Sequence, residues 1–259
     1  LGMTPQKRAI ERKMGKLYAD TTMHTIDFQP MIWVNWKKKE ARITFNYSGR
    51  TRQPSLSDLM PLTDNSNPLY ITRGNPDLKQ MFSHSVRVSF QHSKKGISAN
   101  IGGQMEQNSV TQVVLYDAKT GGRETSPINI NGNWNVYGSA NWWKRLGHFS
   151  LRLDMNGNHS NRVSMINEDK SLEPKKSTTR DTGLGCDANV SYQPTWGGID
   201  FSTSWNYQYS LNSINDNDTY TRNYSFRLEG YVDLPFGLQL RTDGAYSFRN
   251  GTNIRKGVD

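Results

Sequence analysis

The strongest constraint on the fold of this chain is a two-residue repeat of apolar and polar side chains that occurs in ten separate segments. In one of them, apolar side chains alternate with polar ones as Ala41, Arg42, Ile43, Thr44, Phe45, Asn46, Tyr47 and Ser48. Successive side chains of a β-strand point to opposite faces of the sheet, so this period indicates strands with one apolar and one polar face. The sequence therefore predicts an all-β fold built from ten amphipathic strands.

The composition agrees with strands that place half of their side chains on a polar surface. Only 34% of the residues are hydrophobic and the mean hydropathy is -0.78, whereas a compact soluble domain is roughly 45–50% apolar. Disordered chains also have few apolar residues, but they are poor in aromatic residues, which make up 11% of this chain. No run of about 18 apolar residues is present, which excludes a transmembrane helix and leaves membrane-spanning strands.

The connections between the ten segments alternate in length. Five are tight turns, at residues 37–39, 93–96, 144–147, 194–198 and 234–237, and four of these contain glycine, which readily adopts the positive φ of hairpin turns. Between them lie long polar connections at residues 49–80, 107–127, 157–181 and 210–219. Outer-membrane barrels have short periplasmic turns and long extracellular loops. The predicted fold class is thus an antiparallel up-and-down transmembrane β-barrel.

Aromatic residues gather near both ends of the predicted strands. Those near the short turns are Trp36, Phe90, Trp142, Trp143, Phe149, Tyr192, Trp196 and Phe236. Those near the long connections are Tyr47, Phe82, Trp134, Tyr207, Tyr209, Tyr220, Tyr246 and Phe248. This distribution is typical of two interfacial girdles, because aromatic rings suit the boundary between lipid and water. The alternative is a set of ordinary core aromatics in a β-rich domain.

The alternation also assigns individual side chains to the two faces of the barrel wall. Apolar side chains are favoured in contact with lipid, whereas charged side chains can be hydrated in a water-filled lumen. We therefore expect a lipid-facing set made of Ile43, Val88, Leu151, Val190, Phe226 and Leu240. We expect a lumen-facing set made of Arg42, Arg87, Arg152, Asn189 and Arg227.

The N-terminal part of the chain has a different pattern. Ile10, Met14, Leu17 and Tyr18 fall at helical spacing among charged residues, so residues 1–24 are predicted to form a loop or a short amphipathic helix. The first strand, about residues 25–36, is blurred because Pro30 interrupts it and four apolar residues follow one another. The predicted partial barrel therefore covers residues 25–259.

Other functional classes find little support in the sequence. The formal charge of +9 suggests nucleic-acid binding, but the basic residues are scattered along the chain, and a basic lumen or a rim that meets anionic lipid explains them more simply. The five histidines are dispersed, and no grouping of serine, histidine and aspartate indicates an enzyme. The single Cys186 and the absence of zinc-ligand spacing predict no metal site and no cofactor.

Residues 47–80 read YSGRTRQPSLSDLMPLTDNSNPLYITRGNPDLKQ. This segment resembles a signature of the TonB-dependent-receptor-like outer-membrane β-barrel family, in which a strand ends in arginine and Pro-Ser and a later Gly-Asn-Pro-Asp-Leu-Lys run leads into the next strand. The matching positions that we take as candidate site residues are Arg50, Arg52, Pro54, Ser55, Pro61, Asp64, Asn67, Pro68, Gly74, Asn75, Pro76, Asp77 and Lys79. We refer to residues 50–79 as the signature segment.

The signature segment is predicted to be an ordered connection. Its prolines fix φ and lower the entropy cost of ordering a long loop, and the Gly-Asn-Pro-Asp run is turn chemistry that delivers the chain into the following strand. Such a segment could cover or line the mouth of the lumen, with a structural or gating role. The alternative is that it only sets the register of the two strands that it joins.

The resemblance implies a larger protein, with a plug, an N-terminal regulatory-like domain and a barrel of roughly 22 strands. The sequence from Leu1 to Asp259 contains no plug and no energy-coupling box, so we expect a fragment of the barrel that would misfold or aggregate if expressed alone. The implied location is the outer membrane of a Gram-negative bacterium.

The implied function is a receptor or transporter for a nutrient or an iron chelate, with long extracellular loops that gate or bind the ligand. The alternative is a non-transporting structural, adhesin or assembly barrel. Expected partners are outer-membrane lipid, an unidentified extracellular ligand and, through upstream regions, the energy-coupling complex; nucleic acid is not among them.

Overall fold

The structure is a computed structural model that describes residues 2–14, 17–60, 63–67, 69–116, 121–167, 173–214 and 218–251. For residues 3, 6–14, 17–25 and 63–66 only the backbone is described. Leu1 and Asp259, which bound the predicted fragment, lie outside these ranges.

The described chain is almost entirely β-structure. Its strands are β1 (Gly2–Met14), β2 (Leu17–Gln29), β3 (Met31–Lys38), β4 (Ala41–Arg52), β5 (Thr63–Asn67), β6 (Tyr70–Arg73), β7 (Met81–His92), β8 (Ile97–Gln107), β9 (Ser109–Tyr116), β10 (Arg123–Ile130), β11 (Trp134–Leu146), β12 (Phe149–Ile166), β13 (Lys175–Tyr192), β14 (Gly197–Asn212), β15 (Thr219–Asp233) and β16 (Gln239–Gly251). One short helix, α1 (Leu56–Leu59), follows β4, and 3-10 turns lie at Ser93–Lys95 and Pro235–Gly237. Within the described residues, no helix is long and apolar enough to cross a membrane.

Ten strands form one antiparallel sheet in the order β16-β15-β14-β13-β12-β11-β8-β7-β4-β3. β1 and β2 form a separate two-stranded sheet, and β5, β6, β9 and β10 form a four-stranded one. Among the remaining ten strands, each pairs with the next one along the chain, and this is the predicted up-and-down topology. The outermost strands are β3 and β16, which are not paired with each other in the described part of the chain. The sheet is therefore open, as expected for part of a larger barrel wall.

The pairing register separates an apolar face from a polar face across the sheet. Directly paired residues lie on the same face, and Ile43 pairs with Phe90 as Val190 pairs with Phe201. On the other face, Arg152 pairs with Asn189. Following the register from strand to strand places the whole predicted lipid-facing set on the apolar face and the whole predicted lumen-facing set on the polar face.

Most of the predicted girdle aromatics lie on the apolar face, and some of them contact each other. The rings of Phe149 and Tyr192 are 4.5 Å apart near the short turns. On β12, the apolar face between Phe149 and His159 rises about 25 Å for a strand tilted by ~40°, which matches the apolar band of an outer-membrane barrel. Trp143 is an exception to the prediction, because it pairs with Arg152 and so lies on the polar face.

Three of the five short turns reverse the chain with left-handed backbone at a single residue. Gly96 has φ 63° and Gly147 has φ 60°, which confirms the role predicted for glycine in these turns. Lys39, in the one tight turn without glycine, takes φ 50°. A side chain at Gly96 would also overlap the carbonyl oxygen of Trp143, so close backbone approach adds a second reason for glycine there.

The long connections contain more strand than the sequence predicted. β12 runs to Ile166 and β13 begins at Lys175, so much of residues 157–181 forms a paired extension instead of a loop. Residues 107–127 likewise hold β9 and most of β10. The prediction was wrong because both faces of these extensions lie in water, so no alternation marks them, while the backbone hydrogen bonds of the ladder continue.

The predicted N-terminal helix is also replaced by strands. β1 and β2 pair along their whole length, from Gly2 opposite Gln29 to Met14 opposite Leu17. Helical spacing of four apolar residues was weak evidence, and the hairpin satisfies the backbone groups of both strands with cross-strand hydrogen bonds. Pro30 separates β2 from β3, as its interruption of the pattern indicated, and its carbonyl accepts a hydrogen bond from the Gly49 amide at 2.8 Å.

Candidate functional site

The signature segment leaves the ten-stranded sheet at the end of β4. Arg50 and Arg52 lie on the polar face of β4, opposite Ser83 and Met81 of β7. Both arginines are exposed, and neither forms an ion pair with another described residue. The two guanidinium groups are therefore available to a ligand at this end of the polar face.

Ser55 turns the chain after β4 by capping α1. Its Oγ accepts a hydrogen bond from the Asp58 amide at 3.1 Å and donates one to the Asp58 carboxylate at 2.5 Å. Ser55 is the expected type of N-cap residue, because its side chain satisfies an amide that a helix leaves unpaired. Leu59 and Met60, which follow, are both buried and bring the segment back onto the sheet.

The Gly-Asn-Pro-Asp run packs directly against α1. The amide of Asn75 donates to the Asp58 carbonyl at 2.5 Å, and the Asp77 amide donates to the Asn75 Oδ1 at 2.9 Å, which is an Asx turn. A Cβ atom at Gly74 would overlap the carbonyl oxygen of Met60. The glycine is therefore required by close backbone approach.

Side chains of β10 hold the end of the signature segment. The Asn75 Nδ2 donates to the Pro127 carbonyl at 3.0 Å. Asn129 accepts from the Lys79 amide at 2.7 Å and donates to the carbonyls of Lys79 at 3.0 Å and Asn108 at 2.9 Å. We call this set of three bonds the Asn129 clamp; it ties the signature segment to the hairpin of β9 and β10.

The sequence interpretation did not identify Asn129 or Asn108. Asn108, which has φ 55°, donates from its amide to the Asn131 Oδ1 at 2.7 Å. The nearest signal in the sequence is the run of asparagines between residues 129 and 135, which was interpreted only as the polar positions of an alternating strand that starts at Ile128. Their partners lie far along the chain, so spacing alone could not pair them.

A small apolar core lies between the signature segment and the β9–β10 hairpin. Its buried members are Leu59, Met60, Leu78, Val113 and Ile130. Met60 is only 1% exposed, which makes it one of the two most completely buried large side chains described. β5, β6, β10 and β9 form a four-stranded sheet beside this core, in which β6 and β10 pair in parallel. The predicted ordered connection is therefore a small structured unit.

The other predicted site residues have varied positions. The Asn67 Oδ1 accepts from the Leu69 amide at 3.0 Å in the turn between β5 and β6. Asp64 lies in β5 with only its backbone described, and Pro76 lies in the turn before β7. Pro61 and Pro68 lie outside the described residues.

Two adjoining clefts open where β4, β7 and the signature segment meet. One, of about 540 Å³, is lined by Asp27, Arg50, Thr51, Arg52, Gln53, Met81, Ser83, Gln104 and Glu106. The other, of about 500 Å³, is lined by Arg52, Gln53, Pro54, Ser55, Asp58, Met81, Val110, Thr111 and Gln112. We call these the mouth clefts.

Some polar side chains of the mouth clefts form hydrogen bonds within the chain, and others do not. The Asp27 carboxylate accepts from Gln53 at 2.7 Å, and Glu106 accepts from Ser109 at 2.7 Å. The acidic groups are thus already bonded to donors within the chain, whereas Arg50 and Arg52 form no ion pair with a described residue. The arrangement suits a polar ligand with acceptor groups, because guanidinium binds carboxylate and phosphate in a bidentate manner.

A second polar cluster lies on the extension of β12–β14 beyond the apolar band. The Asp181 carboxylate forms an ion pair with Arg162 at 2.6 Å and accepts a hydrogen bond from Ser210 at 2.6 Å. Burial alone would raise the pKa of Asp181, but the hydrogen bonds from Ser210 and Arg162 and the charge of Arg162 outweigh burial. The pKa of Asp181 therefore lies below its ordinary value.

The titratable groups of the described chain form no recognisable catalytic or metal centre. His84 contacts the Tyr47 hydroxyl at 3.0 Å, and His159 contacts the Thr182 hydroxyl at 2.8 Å, on distant strands of the apolar face. No group of three or more histidine, cysteine, aspartate or glutamate residues in the described ranges could hold a metal ion.

Comparison with known proteins identifies a family for most of the chain. Residues 13–179 match a family model described as an outer membrane protein beta-barrel family. The match includes the signature segment, the four-stranded sheet and the first half of the ten-stranded sheet. No curated protein and no solved structure matches the chain.

Proposed function

The chain belongs to the outer membrane protein β-barrel family and to the bacterial outer membrane, and from that premise we propose that it forms part of the wall of a receptor or transporter. In this proposal the barrel is of the TonB-dependent type, and further strands complete the ring at β3 and β16. Completion is required because each unsatisfied backbone group of a strand edge costs several kcal/mol in hydrocarbon.

The mouth clefts are the observation that carries the proposal. They lie at the long-connection end of the polar face, which is the extracellular end of such barrels. Their walls combine strands β4, β7 and β8 of the barrel wall with the structured signature segment, so a ligand there would contact both a rigid scaffold and a loop. The expected ligand is a polar nutrient or an iron chelate that carries carboxylate or other acceptor groups.

A non-catalytic function fits the same arrangement. Catalysis by a nucleophile needs a base within hydrogen-bond reach and a third group that orients the base. His84 and His159 instead contact a tyrosine and a threonine on the apolar face. His92 and His148 contact backbone groups of Lys95 and Gln193.

The proposal is tested in the full-length protein by a double variant, Arg50→Gln with Arg52→Gln. Cells that depend on the protein would be assayed for uptake of ferric citrate and of a panel of small oligosaccharides. We expect uptake of the transported probe to fall about tenfold, the loss expected when charge-assisted hydrogen bonds are removed. Lys94→Gln, in the short turn at the opposite end, should leave uptake unchanged.

A second function is favoured by exposed apolar residues where β6 begins. Leu69 and Tyr70 are 51% and 53% exposed there, and exposed apolar residues can contact another protein. The double variant Leu69→Ser with Tyr70→Ser tests the adhesin or assembly role. If this variant loses adhesion or partner assembly while the arginine variant takes up every probe normally, the structural alternative replaces transport.

A further inference from the structure

An arginine of β15 lies on the apolar face of the sheet. Arg222 of β15 pairs with Tyr207 of β14 and Asn250 of β16, and it shares the apolar face with Tyr224 and Phe226 of its own strand. In a membrane-spanning barrel this face meets lipid, where an arginine costs ~2–4 kcal/mol at the bilayer midplane but only ~0–1 kcal/mol near the interface. A lipid-facing arginine therefore needs an interfacial position or an anionic partner.

Aromatic rings surround the guanidinium of Arg222. Its Cζ lies 5.4 Å from the ring centre of Tyr220 and 5.8 Å from that of Tyr207, which are cation–π distances. Tyr220 precedes Arg222 on the side of the long connections, so the contact draws the charged group toward the extracellular interface. Arg222 is nevertheless exposed.

The described residues provide no carboxylate partner for Arg222. The ion pairs that form among them involve other arginines. The nearby carboxylate of Asp218 interacts with the phenol of Tyr209 instead. A cation that contacts two aromatic rings at the lipid boundary, with no carboxylate partner among the described residues, is the arrangement that recognises an anionic group from outside the chain.

A second cation extends the same surface outward. Arg180 of β13 pairs with Asn161 and Leu211, which places it on the apolar side of the sheet, beyond Thr182. It is exposed and forms no ion pair in the described part of the chain. From the strand spacing and rise, Arg180 and Arg222 lie on the order of 15 Å apart, so both can contact one large headgroup.

We propose that Arg222, held between Tyr207 and Tyr220, binds a phosphate group of an anionic glycolipid headgroup in the extracellular leaflet of the outer membrane, with Arg180 as a second contact. Guanidinium matches phosphate oxygens in a bidentate geometry. The proposal depends on the membrane location of the family and not on transport. It assigns the cations to the outside of the barrel wall, away from the mouth clefts.

The test measures binding of bis-phosphorylated lipid A to the full-length protein in detergent by native mass spectrometry. Arg222→Gln should weaken binding about tenfold, as expected for one lost charge-assisted hydrogen bond, and Arg222→Lys should retain part of the affinity. The matched control is Arg249→Gln. Arg249 lies at nearly the same level on the polar face, where its Nε donates to Asn223 at 2.6 Å.

Two further arms identify the source of the phosphate. Dephosphorylated lipid A should bind the wild-type protein as weakly as the phosphorylated lipid binds Arg222→Gln. Inorganic phosphate at the lipid concentration should not displace the lipid. Unchanged binding by Arg222→Gln, equal loss in Arg249→Gln, full binding of the dephosphorylated lipid or displacement by inorganic phosphate would each overturn the proposal. Heat-dependent gel mobility checks that every variant is folded.

Discussion

The Asn129 clamp makes a quantitative prediction about the stability of the signature segment. Asn129→Leu keeps the approximate size of the side chain and removes all three bonds to Lys79 and Asn108. Each bond contributes ~1 kcal/mol, but Asn129 is half-buried and water can replace part of what is lost, so the expected cost is about 2 kcal/mol. Asn129→Asp keeps the bond from the Lys79 amide but places a carboxylate oxygen against the carbonyl oxygens of Lys79 and Asn108, so it should cost at least as much as Asn129→Leu.

This loss should appear as local opening and not as unfolding of the barrel. Hydrogen exchange measures the free energy of local opening, and a loss of 2 kcal/mol corresponds to about 30-fold faster exchange. Exchange of the Lys79 amide in the full-length protein should therefore accelerate by this factor in Asn129→Leu, whereas strands β13 and β14 should be unaffected. The matched control is Asn206→Leu, an exposed asparagine of the polar face of β14.

The argument would be refuted by exchange at Lys79 that stays within about twofold of wild type in Asn129→Leu. It would also fail if Asn206→Leu accelerated exchange at Lys79 equally, because the effect would then be global. Exchange in Asn129→Asp that is at least as fast as in Asn129→Leu is the internal check that the two bonds donated by Asn129, and not the shape of the residue, set the rate.

Three further predictions address the packing, the faces and the pH response of the wall. Gly74→Ala should lower the yield of folded full-length protein, because its Cβ would overlap a backbone carbonyl, while Gly244→Ala, which has open space around it, should not; equal yields would contradict the steric argument. In a Cys186→Ala background, a cysteine at Asn189 should react with an aqueous maleimide and one at Val190 should not; equal labelling in membranes would mean that the faces are misassigned. A lowered folded pKa for Asp181 means that its stabilising effect is present above the unfolded pKa and is lost as pH falls through the folded pKa. Protection factors in β12 and β13, which correct for the pH dependence of intrinsic exchange, should therefore fall in acid, and Asp181→Asn should remove this response; an unaltered acid response in the variant would exclude Asp181 as its source.

The sequence was sufficient to predict the ten-stranded sheet because the bilayer imposes a pattern that is visible in single residues. Where lipid covers one face, every second side chain must be apolar, and Ile43, Val88 and Val190 report that face without any knowledge of their neighbours. The register then follows, because a shift by one residue would turn every apolar side chain toward the lumen.

The same reasoning explains what the sequence could not predict. Beyond the apolar band both faces of β12 and β13 are wet, so composition no longer distinguishes a strand from a loop. The signature segment was identified by resemblance, but its partners were not. Asn129 bonds to backbone groups of Lys79, and such contacts do not constrain which residue type provides those groups.

The barrel wall and the signature segment are stabilised by different interactions, and this difference indicates where a ligand can act. Within the apolar band, an opened backbone hydrogen bond would leave its groups in hydrocarbon at several kcal/mol each, so the wall behaves as a rigid scaffold. The signature segment is held by side-chain bonds of ~1 kcal/mol each, in contact with water. Arg52, Pro54 and Ser55 of this segment line a mouth cleft, while Lys79 at its far end depends on Asn129. Ligand binding of even a few kcal/mol is comparable to the whole clamp, so we expect movement to begin between the signature segment and β10, with the barrel strands unchanged.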